Sequence, residues 1–285
     1  MIAIIVRIVV YVIDQKYIEF EQYKLCVIEY IPDKIECIVY VINAYAQNKC
    51  GYNCMNSRFA KQLLEKGHAC ILIDYPGVGD SMGDLQDYDL RDYKKAIEYC
   101  VTHYNQELRI VGRNCVVVAI GMGMVIGAPI AKRLNARVIG WSVRFEPFPA
   151  ADLIWIETGN EHDAHQHMVK NITTNNYLRS LGYHHHSAGG FIANRRLFEQ
   201  LTDERPFELL YTNKIRTMLI YGEHDIYLRT VAYKRIEKQS NKLGWNIHIV
   251  SGADRYYSFA DWQDEVIAET ISWIDKRMRA DEWEL

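Results

Sequence analysis

Two cysteines and a run of histidines are the residues whose chemistry stands out first in this sequence. Cys50 and Cys54 lie in a stretch with Gly and Asn, which predicts a loop that exposes a thiol. A cysteine nucleophile needs a base within hydrogen-bond reach, and His184, His185 or His186 is a candidate partner from a distant segment. The sequence cannot place these groups together, so ordinary loop cysteines remain the favoured interpretation and a relocated nucleophile the alternative.

The histidines do not predict a metal site. His162 and His165 are spaced to share one helical face, which permits metal binding without requiring it. The C-x-x-x-C spacing lacks a second pair of ligands, as a structural zinc site would need. We therefore interpret the histidines as solvated or substrate-facing, and we expect neither a metal nor a cofactor.

Composition narrows the class of protein and its partners. The 285 residues are 49% hydrophobic and 24% charged, with a formal net charge of −3, which is typical of one large α/β domain or two small ones. No basic stretch stands out, so a nucleic-acid partner is not expected. The apolar start, residues 1–13, is interrupted by Arg7 and is too short for a membrane span, which favours a β-strand. The 7 cysteines, an odd number, favour a reducing cytoplasm.

Apolar runs that alternate with amphipathic segments predict a parallel sheet flanked by helices. The opening runs, 1–13, 17–23 and 25–30, lack long connections and predict antiparallel hairpins. Further strands are predicted at 35–44, 69–74, 114–120, 137–141, 217–221 and 246–250, and helices at 58–66, 90–104, 228–243 and 262–279. Another helix should run to residue 132, although Pro129 should end or bend it.

Irregular sequence between residues 142 and 213 interrupts this alternation. An insertion late in a doubly wound sheet predicts a lid over the carboxyl ends of the strands, where such sheets place their sites. The predicted division is a core of residues 1–141 and 214–285 and a lid of residues 142–213.

Three local patterns occur in an informative order. Residues 74–81 follow a predicted strand and match D-x-x-G-x-G-x-S. Residues 116–124 occupy a strand–turn–helix position like that of G-x-S-x-G. Residues 219–225 form a strand followed by Asp225. Together these patterns resemble the α/β-hydrolase superfamily over nearly the whole chain, which implies an α/β-hydrolase fold with a mostly parallel central sheet, flanking helices and a lid insertion.

A closer resemblance is to the hydrolase-like proteins associated with exosortase systems. It rests on residues 54–58, the turn without serine, residues 188–191 and residues 252–257. Those proteins occur beside acyl-activating ligases and carrier proteins. The resemblance therefore implies acyl-group handling in a biosynthetic pathway.

The turn that should hold the nucleophile carries none. We place its central position at Gly123, which has no side chain, and its neighbours Met122 and Met124 carry thioethers. The usual acyl-enzyme route through an elbow serine is therefore excluded. The backbone N–H groups of an oxyanion site can survive this loss, with Met124 after Gly123 as one donor and the loop beginning at Tyr45 as the other.

The loop that would carry the catalytic histidine has Arg255 at that position. An arginine stays protonated and cannot act as a general base, but it can bind a carboxylate or a phosphate. Asp225 is retained and is predicted to pair with Arg255, either as a structural ion pair or as a substrate-binding pair. His224 is an alternative general base. The tyrosines predicted to line an acyl pocket are Tyr75, Tyr183, Tyr227 and Tyr256.

Two functions follow from these residues. The first is an enzyme with a rebuilt site that acts on an acyl ester, thioester or carbonyl compound, either a small molecule or an acyl group bound to a carrier. The second is a silent pseudo-hydrolase that binds an acylated ligand or a partner protein. The oligomeric state, including a homodimer, stays open, and the fold alone does not decide between the two functions.

Overall fold

The computed structural model describes residues 11–110, 112–145, 185–188 and 191–281. Eight strands form one sheet in the order β1-β2-β4-β3-β5-β6-β9-β10, and β7 and β8 form a separate hairpin. The strands are β1 (Tyr11–Phe20), β2 (Tyr23–Pro32), β3 (Ile38–Ile42), β4 (Ala69–Ile73), β5 (Cys115–Ile120), β6 (Arg137–Trp141), β7 (His185–Ala188), β8 (Phe191–Asn194), β9 (Thr217–Gly222) and β10 (Asn246–Val250).

The sheet opens with an antiparallel hairpin, as expected from the sequence, but its turn lies inside a run that was predicted to be one strand. Strand β1 pairs with β2 from Tyr11 opposite Pro32 to Phe20 opposite Tyr23. The turn falls at Glu21, where φ is +50°. The run 17–23, predicted to be one strand, therefore crosses a turn, because its apolar residues belong to two strands that face each other.

The centre of the sheet is parallel, from β4 through β3, β5, β6 and β9 to β10. Strands β3, β4, β6 and β9 are buried at every position, which explains their nearly unbroken apolar sequences. The helices are α1 (Met55–Glu65), α2 (Leu90–Glu107), α3 (Gly123–Leu134), α4 (Arg195–Leu201), α5 (Pro206–Thr212), α6 (Val231–Leu243) and α7 (Ala260–Asp281).

Two apolar layers hold the helices to the sheet. Residues of α2 and α3 belong to one buried cluster, and residues of α1 and α7 belong to the other. Helix α3 runs through Pro129 to Leu134, so the helix predicted to reach residue 132 is confirmed and Pro129 does not end it. A proline removes one backbone donor, and the largely buried α3 keeps its packing on the sheet despite that loss.

The structure describes only part of the predicted lid. Residues 142–145, the β7–β8 hairpin, α4 and α5 are described, so the role of residues 142–213 as a lid stays a prediction. Among the helices of the described ranges, none combines the length and the apolar character needed to cross a membrane.

Candidate active site at the carboxyl ends of the strands

A cavity of about 470 Å³ lies at the carboxyl ends of β3, β5 and β6. Parallel sheets of this kind place their sites at this edge, because the loops that follow the strands converge there. The cavity is lined mostly by apolar and aromatic side chains, with a smaller set of polar groups. Its lining includes Tyr45, Gln47, Met55, Met122, Val125, Trp141, Ser142, Arg144, Leu201, Tyr227, Arg255, Tyr256 and Tyr257.

The turn between β5 and α3 lies two residues before the predicted centre. Gly121, with φ of +52°, is the left-handed residue of this turn and lines the cavity. Gly123 already belongs to α3, and a Cβ atom there would lie 2.3 Å from the Ile42 carbonyl oxygen. The predicted centre at Gly123 is thus a packing position, required by the close approach of α3 to β3.

Placing the centre of the turn at Gly121 does not restore a nucleophile. A Cβ atom on Gly121 would meet the Ala44 Cβ atom at 3.3 Å, with its other neighbours no closer than 4.0 Å. The position therefore has room for a side chain, although a left-handed φ favours glycine. In either register the turn offers no hydroxyl or thiol.

One of the two predicted backbone donors, Met124, does not serve the cavity, whereas the other, Tyr45, lines it. The N–H of Met124 donates to the Gly121 carbonyl oxygen at 3.4 Å, and Met124 is fully buried. Met122 is the residue that precedes α3, where backbone N–H groups have no partner inside the helix. Within the described ranges, neither the Met122 N–H nor the Tyr45 N–H has a hydrogen-bond acceptor, and both residues line the cavity.

A buried polar network fixes the loop that carries Tyr45. Asn56 donates to Asn43 Oδ1 at 2.8 Å and to the Lys49 carbonyl oxygen at 3.1 Å. The Lys49 ammonium group lies 2.7 Å from Asp74 Oδ2 and 2.5 Å from Asp80 Oδ2. Burial lowers the pKa of Lys49, but its hydrogen bonds to Asp74 and Asp80 outweigh that effect and raise the pKa. Lys49 therefore stays charged and ties two loops together.

The two aspartates of the D-x-x-G-x-G-x-S pattern, Asp74 and Asp80, both bond to Lys49. Cys26, Asp74 and Asp80 bring possible ligand atoms within 4.8 Å of one another. The Lys49 ammonium group already bonds to both carboxylates, so this cluster is a completed ion-pair network. Lys49 gave no signal in the sequence, since a single lysine in a polar loop is ordinary.

Asp225 follows β9, as predicted, and is 1% exposed. Its Oδ1 atom accepts the Tyr227 N–H at 2.9 Å, whereas its Oδ2 atom has no hydrogen-bond partner among the described residues. Burial raises the pKa of Asp225, and the Tyr227 N–H, the Ser142 hydroxyl and the charge of Arg255 oppose that rise. A buried carboxylate with a free oxygen is a strong acceptor for a proton.

Arg255 forms no ion pair with Asp225 within 4.0 Å, so the predicted pair is not seen. Its guanidinium group lies 4.6 Å from the ring centre of Tyr256 and 5.5 Å from that of Tyr227. Stacking on two tyrosines directs the half-buried Arg255 to the cavity wall, where it influences Asp225 through its charge alone.

Ser142 and Tyr257 are cavity residues that the sequence analysis missed. Ser142 follows β6 directly, has φ of +46°, and donates from Oγ to Tyr257 Oη at 3.1 Å. Tyr257 in turn donates to the Ile220 carbonyl oxygen at 2.8 Å. The available signal was the position of Ser142 at the carboxyl end of a parallel strand, which was obscured because residue 142 was assigned to the lid.

The other predicted residues divide between wall, core and surface. Tyr227 and Tyr256 line the cavity, whereas Tyr75 is buried in the core, with its ring centre 5.0 Å from that of Tyr93. Its hydroxyl donates to the Asn43 carbonyl oxygen, which holds it away from the cavity. His224 is exposed and lies outside the cavity lining.

The cysteine–histidine alternative is only partly visible. Cys50 is half-buried, Cys54 is exposed, and neither is part of the cavity lining. Tyr183 and His184 lie outside the described residues, as do His162, His165 and His167. The backbone of His185 and His186 is described in β7 without their side chains.

Comparisons with known proteins identify the fold. No protein-family model matches the sequence, and no curated protein matches it. Among solved structures, Est1E from Butyrivibrio proteoclasticus, with ferulic acid bound, is 16% identical, with a TM-score of 0.68 over 92% of this chain and 99% of that one. The α/β-hydrolase GrgF from Penicillium sp. sh18 is 12% identical, with a TM-score of 0.66 over 93% and 99%.

A thioesterase domain from the curacin biosynthetic pathway is also similar, at 14% identity and a TM-score of 0.57, over 92% of this chain and 99% of that one. The similarity in each case covers nearly the whole of both chains, at identities that support only a shared fold. This agreement, with the eight-stranded sheet and its helices on both faces, shows that the chain has the α/β-hydrolase fold.

Proposed function

We propose that this protein binds an acyl ester or thioester in the cavity and cleaves it, without a nucleophile at the turn after β5. The observation that carries the proposal is the pair of backbone donors, Met122 N–H and Tyr45 N–H, without acceptors among the described residues. A donor at the start of α3, together with a donor from the loop after β3, can bind the oxyanion that forms when an acyl carbonyl is attacked.

The cavity walls favour a substrate with an apolar or aromatic acyl part. Trp141, Met55 and Val125 provide apolar surface, and Tyr227 and Tyr256 provide aromatic surface near the mouth. The Est1E structure holds ferulic acid, an aromatic acid, in the same fold. These features support an aromatic or other apolar acyl group as the part of the substrate that fills the cavity.

Arg255 supports an anionic group elsewhere on the substrate. Its guanidinium group stacks on tyrosine rings and has no ion pair among the described residues, so its hydrogen-bond donors remain available. Arg144 lies on the same wall, and the charges of both arginines lower the pKa of Tyr227 against the effect of burial. A carboxylate or a phosphate fits such a wall, including the phosphate of a carrier-bound acyl group from a biosynthetic pathway.

A silent pseudo-hydrolase is the second candidate function. It is favoured by Gly121, which cannot attack a carbonyl, and by Arg255, which cannot act as a base. In this alternative the same cavity binds an acylated ligand or a segment of a partner protein without cleaving it.

Removal of one backbone donor tests the first function. Met122 has φ of −65°, a value that proline adopts without strain, so Met122→Pro deletes the N–H at a compatible position. Met122→Ala is the matched control, because it shortens the side chain and keeps the N–H. Loss of one such donor should lower kcat by about 10²-fold to 10³-fold.

The measurement is turnover of a panel of p-nitrophenyl esters and acyl N-acetylcysteamine thioesters, with thermal unfolding as the check on folding. Turnover by the wild type and by Met122→Ala, with loss in a folded Met122→Pro, supports the proposal. Equal turnover by both variants would remove the oxyanion role. Tight ligand binding by the wild type without any turnover would establish the pseudo-hydrolase.

A further inference from the structure

We propose that Ser142 is the nucleophile of this cavity and that Asp225 is its general base, with Tyr257 as the residue that positions the serine hydroxyl. This inference rests on the proposed function and names the catalytic group that would carry it. The group is displaced from the turn after β5 to the end of the neighbouring strand β6.

Ser142 lies beside the turn that lacks a nucleophile. Strand β6 pairs with β5, and a Cβ atom placed on Gly121 would lie 4.0 Å from the Ser142 carbonyl oxygen. Ser142 lines the cavity together with Met122 and Tyr45, whose backbone N–H groups have no acceptor among the described residues. A serine at this point can therefore reach a carbonyl group held in the cavity.

The backbone of Ser142 is in an uncommon conformation that its neighbours maintain. Its φ of +46° is in the left-handed region, which non-glycine residues adopt at a cost of order 1 kcal/mol or more. The Ser142 N–H donates to the Ile220 carbonyl oxygen at 2.9 Å, and Tyr221 Oη donates to the Val143 carbonyl oxygen at 3.0 Å. Such strain, held by surrounding hydrogen bonds, is typical of functional sites.

Asp225 is buried and has the properties of a base. It does not line the cavity, whereas Ser142 does. Its Oδ2 atom has no partner among the described residues, and the Ser142 hydroxyl is close enough to affect the carboxyl group. Burial raises the pKa of Asp225, with Arg255 opposing and Asp254 adding to the rise, which makes the carboxylate a better proton acceptor.

Tyr257 holds the Ser142 hydroxyl in place. Tyr257 Oη accepts from Ser142 Oγ at 3.1 Å and donates its own proton to the Ile220 carbonyl oxygen at 2.8 Å. Burial raises the pKa of Tyr257, so its phenol stays neutral and cannot act as the base. Rotation of the serine hydroxyl from Tyr257 Oη towards Asp225 Oδ2 would prepare it for attack.

The reaction proceeds in two balanced steps. In the first, Ser142 Oγ bonds to the acyl carbon, its proton passes to Asp225, and the carbonyl becomes an oxyanion held by the N–H groups of Met122 and Tyr45. The carbonyl then re-forms, the bond to the alkoxide or thiolate breaks, and the leaving group takes the proton from Asp225. In the second, water attacks the acyl carbon of the acyl-Ser142 ester and its proton passes to Asp225. The bond to Ser142 Oγ then breaks, Asp225 returns the proton to Ser142 Oγ, and the carboxylic acid leaves.

Covalent labelling tests this assignment. The wild-type protein is treated with a fluorophosphonate probe and, separately, with p-nitrophenyl acetate, then cut with trypsin. Cleavage after Arg137 and Arg144 isolates residues 138–144, a peptide in which Ser142 is the only serine. We expect the adduct on this peptide, and Ser142→Ala should lose both the adduct and at least about 10³-fold in turnover.

Ser240→Ala is the matched control, because Ser240 is also buried and its hydroxyl bonds to the Glu237 carbonyl oxygen in α6. It should leave labelling and turnover unchanged. In the wild type, labelling should slow at acidic pH, because protonated Asp225 cannot accept the serine proton. A second variant, Asp225→Asn, should label slowly at neutral pH and should lose this dependence on pH. That pH readout separates a base from a residue that only maintains the fold.

The outcomes are distinguishable. A folded Ser142→Ala that still turns over esters would overturn Ser142 as the nucleophile while leaving the proposed function in place. An adduct mapped to Cys50 or Cys54 would do the same and favour the relocated thiol. Absence of both labelling and turnover in the wild type would overturn this inference together with the proposed function.

Discussion

Two buried carboxylates at the same edge of the sheet have opposite surroundings. Asp74 is fully buried, accepts the Lys49 backbone N–H, and pairs with the Lys49 ammonium group at 2.7 Å. Asp225 is almost as buried but has no ion pair within 4.0 Å, and one of its oxygens lacks a partner in the described part of the chain. A buried charge with all its partners supports a structure, whereas one held with a free oxygen is available for chemistry.

The D-x-x-G-x-G-x-S pattern illustrates the structural case. Gly79, with φ of +60°, has no room for a side chain, because a Cβ atom would lie 2.4 Å from Asp74 Oδ2. The Ser81 hydroxyl accepts the Cys26 N–H at 2.8 Å. These residues secure the loop after β4, which keeps the Tyr45 loop in place through Lys49.

The largest expected difference between the two carboxylates is in stability. Asp74→Asn should lower the free energy of unfolding by about 3 kcal/mol, since it leaves Lys49 buried with only the exposed Asp80 as a partner. Urea unfolding followed by circular dichroism measures the change. Asp80→Asn is the matched control and should cost about 1 kcal/mol or less.

Asp225→Asn completes this comparison. Because Asp225 has no ion pair in the described part of the chain, its replacement should leave stability unchanged or slightly raised at neutral pH. Equal loss of stability in Asp74→Asn and Asp225→Asn would contradict the division into a structural and a functional carboxylate.

A smaller effect is expected at Arg255. Arg255→Ala should raise KM for an ester that carries a carboxylate by about tenfold to a hundredfold, because a charge-assisted hydrogen bond contributes about 1.5–3 kcal/mol. The same variant should leave KM for the neutral methyl-ester analogue nearly unchanged. An equal rise for both substrates would show that Arg255 only packs against Tyr227 and Tyr256.

The smallest effect is the pH dependence of stability. The pKa of Asp225 is raised in the folded protein, so the folded state binds a proton at a higher pH than the unfolded state does. Its contribution to stability is therefore fully present below about pH 4 and is lost as pH rises through the folded pKa. Urea unfolding at a series of pH values measures the free energy of unfolding of the wild type and of Asp225→Asn. The wild-type value, relative to that of the variant, should fall as pH rises from about 4 through the folded pKa of Asp225. A difference that stays constant with pH would contradict the raised pKa.

Much of the fold was predictable because local patterns and global packing agree. The apolar runs for β3, β4 and β5 predicted strands, and each lies in the parallel part of the sheet. The helix over 90–104 was predicted from its apolar spacing, and Asp89 caps its start through the backbone N–H groups of Arg91 and Asp92.

The site was less predictable because its residues are assembled from separate loops. Gly121 and Gly123 are indistinguishable as glycines in the sequence, and only the approach of α3 to the Ile42 carbonyl shows which one packs and which one forms the turn. Arg255 and Asp225 looked complementary by charge, yet tyrosine stacking determines where the guanidinium group lies. Tyr75 looked like a loop residue at the mouth and proved to be part of the core.

The sequence by itself determined the class of fold, the absence of a nucleophile at the turn after β5, and the position of Asp225 after a strand, because these depend on local composition and on the order of the elements. Only the tertiary structure decided that Lys49 neutralises Asp74, that one Asp225 oxygen has no partner among the described residues, and that Ser142 lines the cavity. Those features depend on distances of a few ångströms between side chains far apart in the chain, which hydrophobic periodicity and motif spacing do not encode.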